Sequence, residues 1–124
     1  MALWLAVALG GAFGSVARYA AARAIVATLG PSAWGTLFVN LTGSLLLGFI
    51  AGATELRPQT SAALRTGITV GVLGGYTTFS TYMYESARLL ETGSAFWASA
   101  NLLGSLALGL AAMFAGLALG RALA

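Results

Sequence analysis

The central part of the chain reads Gly74-Gly75-Tyr76-Thr77-Thr78-Phe79-Ser80-Thr81-Tyr82, inside an uncharged run from 66 to 84. Two adjacent glycines weaken a helix, and the β-branched and hydroxyl residues that follow compete for its backbone hydrogen bonds. The stretch therefore predicts a helix that is broken near Gly74 to Thr77. Non-helical backbone at membrane depth is tolerated only where it is buried in protein or lines a wet cavity. A harmless kink at the two glycines is the simpler alternative.

The composition around this stretch places the chain in a membrane. Of its 124 residues, 59% are hydrophobic and only 7% are charged, against about 25% charged in a soluble domain. The few basic residues are not clustered, so no nucleic-acid partner is expected. With no Cys and no His, disulfides, thiolate chemistry and the usual zinc and haem ligand sets are excluded. The chain also lacks a nucleophilic side chain paired with a general base, so we do not expect it to be an enzyme.

Turn residues and charges divide the sequence into four apolar spans of roughly the 20 residues that cross a bilayer. We predict an all-α membrane protein, with residues 1–124 forming a single four-helix transmembrane domain in the plasma (inner) membrane. The approximate spans are 3–29, 34–53, 62–90 and 95–119. The connections are short, so successive helices should run antiparallel.

The charges in the connections give almost no orientation signal. The side that carries both termini holds Arg57, Arg65 and Arg121, and the opposite side holds Arg23 and Arg88. Lys and Arg in short loops normally decide orientation. A count of three against two therefore favours dual topology, in which copies insert both ways round, over a single orientation set by Arg57 and Arg121.

A short repeat links the second and fourth spans. Residues 40–48 match residues 101–109 at seven of nine positions, an offset of 61 that also places Gly10 and Gly14 on Gly71 and Gly75. The small alphabet of membrane helices makes convergence as good an explanation as duplication. We use the repeat only to treat Asn40 and Asn101 as equivalent positions.

The polar residues within the spans are mostly hydrogen-bond donors. Asn40 shares a helix face with Thr36 and Ser44, and Asn101 shares one with Ser105. Amide N–H groups, hydroxyl groups and the positive edges of aromatic rings are all partners for an anion. A helix–helix hydrogen bond is the alternative role for a lone Asn in a membrane.

A charged residue in the first span and the predicted break in the third span suggest further contacts. Arg18 lies several turns into the first span, where it either pairs with Glu85 or a carbonyl or attracts anions into a vestibule. Backbone carbonyls freed by the predicted break could coordinate a hard cation such as Na⁺.

Taken together, these motifs resemble those of the Fluc (CrcB) fluoride channels. The similarity covers three of the four spans in order, and the third-span motif is highly specific. The matching stretches are Gly10-Gly11-Ala12-Phe13-Gly14 with Arg18-Tyr19, Gly35-Thr36-Leu37-Phe38-Val39-Asn40 with Gly43, and Gly74-Gly75-Tyr76-Thr77-Thr78-Phe79-Ser80-Thr81.

The resemblance implies a passive, fluoride-selective channel that exports fluoride and confers fluoride resistance. It also implies an antiparallel dual-topology homodimer in the lipid bilayer, with two pores and one structural Na⁺ at the dimer centre as the cofactor. By motif position, the backbone carbonyls of Gly74 and Thr77 would hold the Na⁺, with their symmetry mates. The vestibule and pore exit would contain Arg18 and Glu85, and the pore and anion-binding positions would be Asn40, Phe79, Ser80, Thr81, Tyr82 and Asn101.

Two positions depart from the family pattern. Tyr82 stands where the family usually has a second Phe, and Asn101 is the nearest match to an expected pore-facing Tyr. Either change bears on conduction or marks a subunit with a non-identical partner. The alternative functions are a small four-helix exchanger of the multidrug type, which would want a carboxylate in the first span, and a non-conducting membrane assembly subunit.

Overall fold

The computed structural model describes residues 1–55, 57 and 59–124, and every regular element within these residues is helical. Leu56 and Pro58, in the connection between the second and third spans, lie outside the described residues. The first half of the third span consists of helical segments that follow one another directly from 62 to 76, called here the 62–76 helix. The elements are α1 (Ala2–Leu29), α2 (Trp34–Glu55), α3 (Ala62–Thr66), a π-helical segment (Gly67–Leu73), α4 (Gly74–Tyr76), α5 (Phe79–Glu91) and α6 (Ala95–Leu123).

Three of these helices, α1, α2 and α6, are long and apolar enough to cross a membrane. They contain 28, 22 and 29 residues, and at about 1.5 Å per residue each exceeds the roughly 30 Å of a bilayer hydrocarbon core. Their large side chains face outward; Leu9, Phe114 and Leu103, for example, are about two-thirds exposed or more. The prediction of an all-α membrane protein is confirmed, and lipid is the solvent of this outer surface.

Glycines let α2 and α6 pack in direct backbone contact. A Cβ on Gly48 would overlap the carbonyl oxygen of Met113, and one on Gly116 would overlap that of Leu45. Gly120 in turn lies against the carbonyl of Phe49. The contacts advance in the same direction along both helices, so α2 and α6 are parallel. Small residues allow this close approach, which replaces the hydrophobic driving force that lipid does not provide.

A second parallel pair joins α1 to the 62–76 helix. A Cβ on Gly14 would overlap the carbonyl oxygen of Val72, and one on Gly75 would lie 2.8 Å from the carbonyl oxygen of Gly11. Gly10 and Gly71, which the repeat offset of 61 aligned, pack directly against each other. Each parallel pair contributes one helix to the functional region, which lies where α2 meets the end of the 62–76 helix.

Short turns connect the antiparallel neighbours. Gly30 ends α1 with a positive φ of 83° and donates its N–H to the carbonyl of Val26 at 2.9 Å. Gly93 has a φ of 78° in the connection between α5 and α6. Both conformations suit glycine because it lacks a Cβ.

The glycine contacts predict unequal effects of the same substitution within α6. Gly116→Ala should lower the thermal midpoint of the purified protein, because the new methyl group would overlap the Leu45 carbonyl and overpacking costs roughly 1–3 kcal/mol. Gly109 has nothing within 4 Å of its Cβ position, and Gly109→Ala is the matched control. It should leave the midpoint unchanged or raise it, since alanine is the better helix former. Equal destabilisation by both changes would contradict this packing.

Candidate functional site

The backbone leaves helical geometry at Thr77 and Thr78. Thr77 has φ −85° and ψ 158°, and Thr78 has φ −149° and ψ 117°, both extended conformations. Gly74 and Gly75 are themselves helical, and α5 begins at Phe79. Within the preceding helix the N–H and the hydroxyl of Thr77 both donate to the carbonyl of Leu73 at 3.0 Å. We call residues 77 and 78 the interruption.

Thr78 then starts the next helix as its N-cap. Its Oγ1 accepts the backbone N–H of Thr81 at 3.2 Å, the contact that makes threonine favourable at this position. The same hydroxyl donates to the Thr81 hydroxyl at 3.1 Å and lies 3.4 Å from the Ser80 hydroxyl. Ser80 and Thr81 are exposed, whereas Thr78 is buried. Three hydroxyl groups therefore cluster at the start of α5.

The amide side chain of Asn40, on α2, binds both backbone groups of Thr78. Its Oδ1 accepts the Thr78 N–H at 2.8 Å, and its Nδ2 donates to the Thr78 carbonyl at 3.0 Å. In an uninterrupted helix that N–H would pair with the carbonyl of Gly74. Asn40 therefore takes the place of the missing helical bond, and the Gly74 carbonyl loses its ordinary partner.

The face of α2 next to Asn40 is shaped to receive the end of the 62–76 helix. A Cβ on Gly43 would overlap the Thr77 methyl group and lie 3.2 Å from the Tyr76 ring. The hydroxyl groups of Thr42 and Tyr76 are 3.0 Å apart. Gly43 therefore provides the space, and Thr42 the polar contact, that bring the interruption within reach of Asn40.

Glu85 lies on the same side of α5 as Thr78 and also contacts α2. The hydroxyl of Thr36, one helical turn before Asn40, donates to Glu85 Oε1 at 2.6 Å. Glu85 Oε2 is buried and has no hydrogen-bond partner among the described residues. The Thr36 and Asn40 pair on α2, expected from the sequence to share a face, thus fixes two points on α5.

Arg18 does not form the pair with Glu85 that the sequence left open. The ion pairs among the described residues are Arg88 with Glu91, at 2.7 Å, and Arg121 with Glu55, at 2.8 Å. The second of these joins the ends of α6 and α2 through two hydrogen bonds. Arg18 is half-buried on α1.

Two aromatic rings of α5 contact each other. The rings of Phe79 and Tyr82 are 5.9 Å apart and inclined at 64°, an edge-on arrangement. Phe79 is 73% exposed on this chain. The hydroxyl of Tyr82 donates to the backbone carbonyl of Leu102 on α6. The extra hydroxyl that distinguishes Tyr82 from phenylalanine is therefore used in a contact within the protein.

Asn101 joins the part of the site that contains Tyr82. Its Nδ2 donates to the hydroxyl of Ser86 at 3.0 Å, and that hydroxyl donates to the carbonyl of Tyr82 at 2.9 Å. Ser105 donates to Asn101 Oδ1 at 3.4 Å. Asn40 and Asn101, equivalent by the repeat, contact different parts of α5. Ser86, only 3% exposed, was not among the residues expected from the sequence; its position one turn after Tyr82 was the available signal.

The structure therefore brings Asn40, Ser80 and Thr81 together around Thr78. Phe79 follows Thr78 along the chain and contacts Tyr82, which adjoins Asn101 on the α6 side. Gly74 and Thr77 lie at the helix end that leads into it. Together the fold and this region define a small helical membrane protein with a cluster of hydrogen-bond donors beside a non-helical backbone segment.

Comparison with known proteins agrees with this class. Residues 5–117 match the family described as CrcB-like protein, Camphor Resistance (CrcB). A relative from Nitrobacter hamburgensis, "Fluoride-specific ion channel FluC 1", is 46% identical over 120 residues, which are 96% of this chain and 95% of the relative.

Two further relatives carry the name "Fluoride-specific ion channel FluC". The one from Nitrobacter winogradskyi is 47% identical over 91% of this chain and 90% of its own length, and the one from Geobacter sulfurreducens is 48% identical over 96% and 97%. The chain belongs to the CrcB family, whose named members here are ion channels and not enzymes.

The Asn40 contacts predict a loss of stability that the neighbouring hydroxyl groups do not share. Asn40→Ala should lower the free energy of unfolding by about 1–3 kcal/mol, because it leaves the N–H of buried Thr78 without a partner. Ser80→Ala is the control, since it removes an exposed hydroxyl from the same cluster. Denaturation followed by tryptophan fluorescence would measure both. An Asn40→Ala protein as stable as the control would show that Asn40 does not support the interruption.

Proposed function

We propose that this protein is a fluoride-selective channel that lets fluoride leave the cell passively across the plasma (inner) membrane. The observation that carries the proposal is the interruption itself, where the Asn40 amide binds the backbone of Thr78 and the hydroxyl groups of Ser80 and Thr81 lie against that of Thr78. Phe79 follows directly along the chain, and its ring meets that of Tyr82. The names of the relatives support the same choice of ion.

The chemistry of the cluster suits a small, strongly hydrated anion. A selective path must replace the water around the ion with contacts that do not bind too tightly for release. Asn40 Nδ2 has two hydrogens, and its one hydrogen bond to Thr78 leaves the other hydrogen for an anion. The exposed hydroxyl groups of Ser80 and Thr81 continue the line of donors, and the ring edges of Phe79 and Tyr82 offer positive potential.

The proposed channel is an antiparallel homodimer of two oppositely inserted copies with two pores. Four helices of one chain are too few to surround a pore, and Phe79, the ring assigned to the path, is largely uncovered on a single copy. The three-to-two division of arginines between the two sides is compatible with insertion in both directions.

A structural Na⁺ at the centre of the dimer completes the proposal. The ligands would be the carbonyls of Gly74 and Thr77 and their symmetry mates. The backbone fits this role in two respects. The N–H of Thr78 is bound by Asn40, which frees the Gly74 carbonyl, and the N–H of Thr81 is bound by the Thr78 hydroxyl, which frees the Thr77 carbonyl. Carbonyls of unwound backbone are suitable ligands for Na⁺. The ion would supply positive charge that balances these oxygens and joins the two copies.

The ends of the proposed path carry opposite charges. Arg18 has no ion-pair partner within the described part of the chain and would raise the local concentration of anions in a vestibule. Glu85 would lie near the pore exit, held by Thr36. Tyr82 and Asn101 would lie on the α6 side of the path.

Anion efflux from liposomes that contain the purified protein tests the function directly. We expect fast fluoride efflux and no comparable chloride efflux. Phe79→Ile should slow fluoride efflux by about two- to tenfold, because an aromatic contact contributes roughly 0.5–1.5 kcal/mol. Asn40→Asp should slow it at least as much, since a carboxylate removes the donor and repels the anion. The control is Phe114→Ile, at a similarly exposed ring on α6. Absence of fluoride efflux from well-folded dimers would favour the assembly-subunit alternative.

Labelling of introduced cysteines tests dual topology, because the chain contains no native cysteine. Ser32→Cys lies in the first connection and Ala124→Cys at the opposite side of the fold, and both positions are exposed. In spheroplasts, a thiol reagent that does not cross membranes should label about half of each variant if copies insert equally both ways. Complete labelling of one variant and none of the other would establish a single orientation.

A further inference from the structure

Four interhelical polar contacts hold α5, the helix that carries Phe79. Two of them, from Thr78 and Glu85, reach α2, and two others, from Tyr82 and Ser86, reach α6. The α2 contacts fix the start of α5 and a point two turns further on. The α6 contacts do not support the interruption at residues 77 and 78, so their role is a separate one.

The two α6 contacts are linked to each other through Tyr82. The hydroxyl of Tyr82 donates to the carbonyl of Leu102, while its backbone carbonyl accepts the hydroxyl of Ser86 at 2.9 Å. Asn101 donates to that serine at 3.0 Å, so adjacent residues of α6 contact the tyrosine directly, at its hydroxyl, and indirectly, through Ser86. We call the group formed by Tyr82, Ser86, Asn101 and the Leu102 carbonyl the Tyr82 clasp.

The clasp restricts the motion of the aromatic ring. A hydrogen bond from the phenol fixes the far end of the side chain, and the Ser86 and Asn101 contacts fix the helical turn from which the ring projects. Ser86 is 3% exposed, and buried polar groups of this kind are costly to leave unpaired. The ring that is held in this way meets Phe79 edge-on at 5.9 Å.

A purely structural link between α5 and α6 would be satisfied by the Ser86 and Asn101 contact alone. It would not require the phenol to reach a backbone carbonyl on α6, nor Ser86 to bind the carbonyl of the residue that carries this phenol. Both contacts are linked to Tyr82, whose ring contacts Phe79, and this favours a positioning role over a purely structural link between the two helices.

We propose that Asn101 and Ser86 are positioning residues, which together with the Tyr82 hydroxyl hold the Tyr82 ring against Phe79 and thereby set the preference for fluoride over chloride. The selectivity part rests on the proposed function. A ring fixed at both ends keeps a narrow gap and excludes the larger anion, whereas a ring free to swing admits it. Asn101 thus acts on the path through Tyr82 and Ser86.

The first arm of the test measures the ring contact without transport. 4-Fluorophenylalanine placed at position 79 reports its surroundings by ¹⁹F NMR of the purified dimer. We expect one narrow line in the otherwise unchanged protein, and a shifted or broadened line in both Ser86→Ala and Tyr82→Phe. The matched control is Ser99→Ala, an exposed α6 hydroxyl with no hydrogen bond to another side chain or to backbone among the described residues. Spectra of the two clasp variants identical to the control would overturn the positioning role.

The second arm measures the ratio of fluoride to chloride efflux in liposomes. Ser86→Ala and Asn101→Leu should each lower the ratio by about two- to tenfold, the equilibrium factor of one neutral hydrogen bond, while Ser99→Ala keeps it. Asn101→Leu combined with Ser86→Ala should lower it no further than either change alone, because both act through one contact. A ratio unchanged in folded clasp variants would overturn the selectivity role.

If the unchanged protein passes no fluoride, the proposed function fails and the selectivity role with it, and the ¹⁹F arm alone decides the positioning role.

Discussion

The hydrogen bond from the Thr78 N–H to the Asn40 side chain replaces the bond that this N–H would have made in a continuous helix, and a second hydrogen bond from Asn40 reaches the Thr78 carbonyl. In a bilayer this substitution is a strict requirement, because no water can satisfy a backbone N–H or carbonyl, and each unsatisfied group costs several kcal/mol. Without Asn40, helical geometry would be the more stable conformation for residues 77 and 78. That change would rotate Phe79, Ser80 and Thr81 to a different face of the helix. The placement of every proposed anion ligand on α5 therefore depends on this one amide.

The glycines make that hydrogen bond geometrically possible. Gly43 leaves space for the Thr77 methyl group and the Tyr76 ring, and so allows α2 to approach the end of the 62–76 helix. Gly14 and Gly75 bring that helix into backbone contact with α1, and Gly48 and Gly116 do the same for α2 and α6. The result is two parallel glycine-packed pairs, with polar side chains reserved for the region where the pairs meet. Packing and function are thus separated by residue type along the same helices.

The fold class and several members of the site could be predicted from the sequence, for identifiable reasons. Charge spacing defines the spans, and the helical spacing of Thr36 and Asn40 places both on the face that contacts α5. The sequence could not show that Tyr82 binds the Leu102 carbonyl, because a backbone acceptor has no signature in residue types. Asn101 was equated with Asn40 through a repeat, but α6 packs beside α2 and presents its asparagine to Ser86. Contacts of this kind depend on helix register, which composition does not determine.

The central claim is that Asn40 supports the interruption and offers its remaining N–H to fluoride, and solid-state NMR can test it directly in lipid bilayers. The chain has only two asparagines, Asn40 and Asn101, so ¹⁵N-asparagine labelling gives two side-chain signals that an Asn101→Leu variant would assign. At saturating fluoride, ¹⁵N–¹⁹F dipolar dephasing should appear on the Asn40 amide and correspond to a separation of about 3 Å. Absence of dephasing at Asn40, in a preparation that still releases fluoride rapidly, would contradict the account.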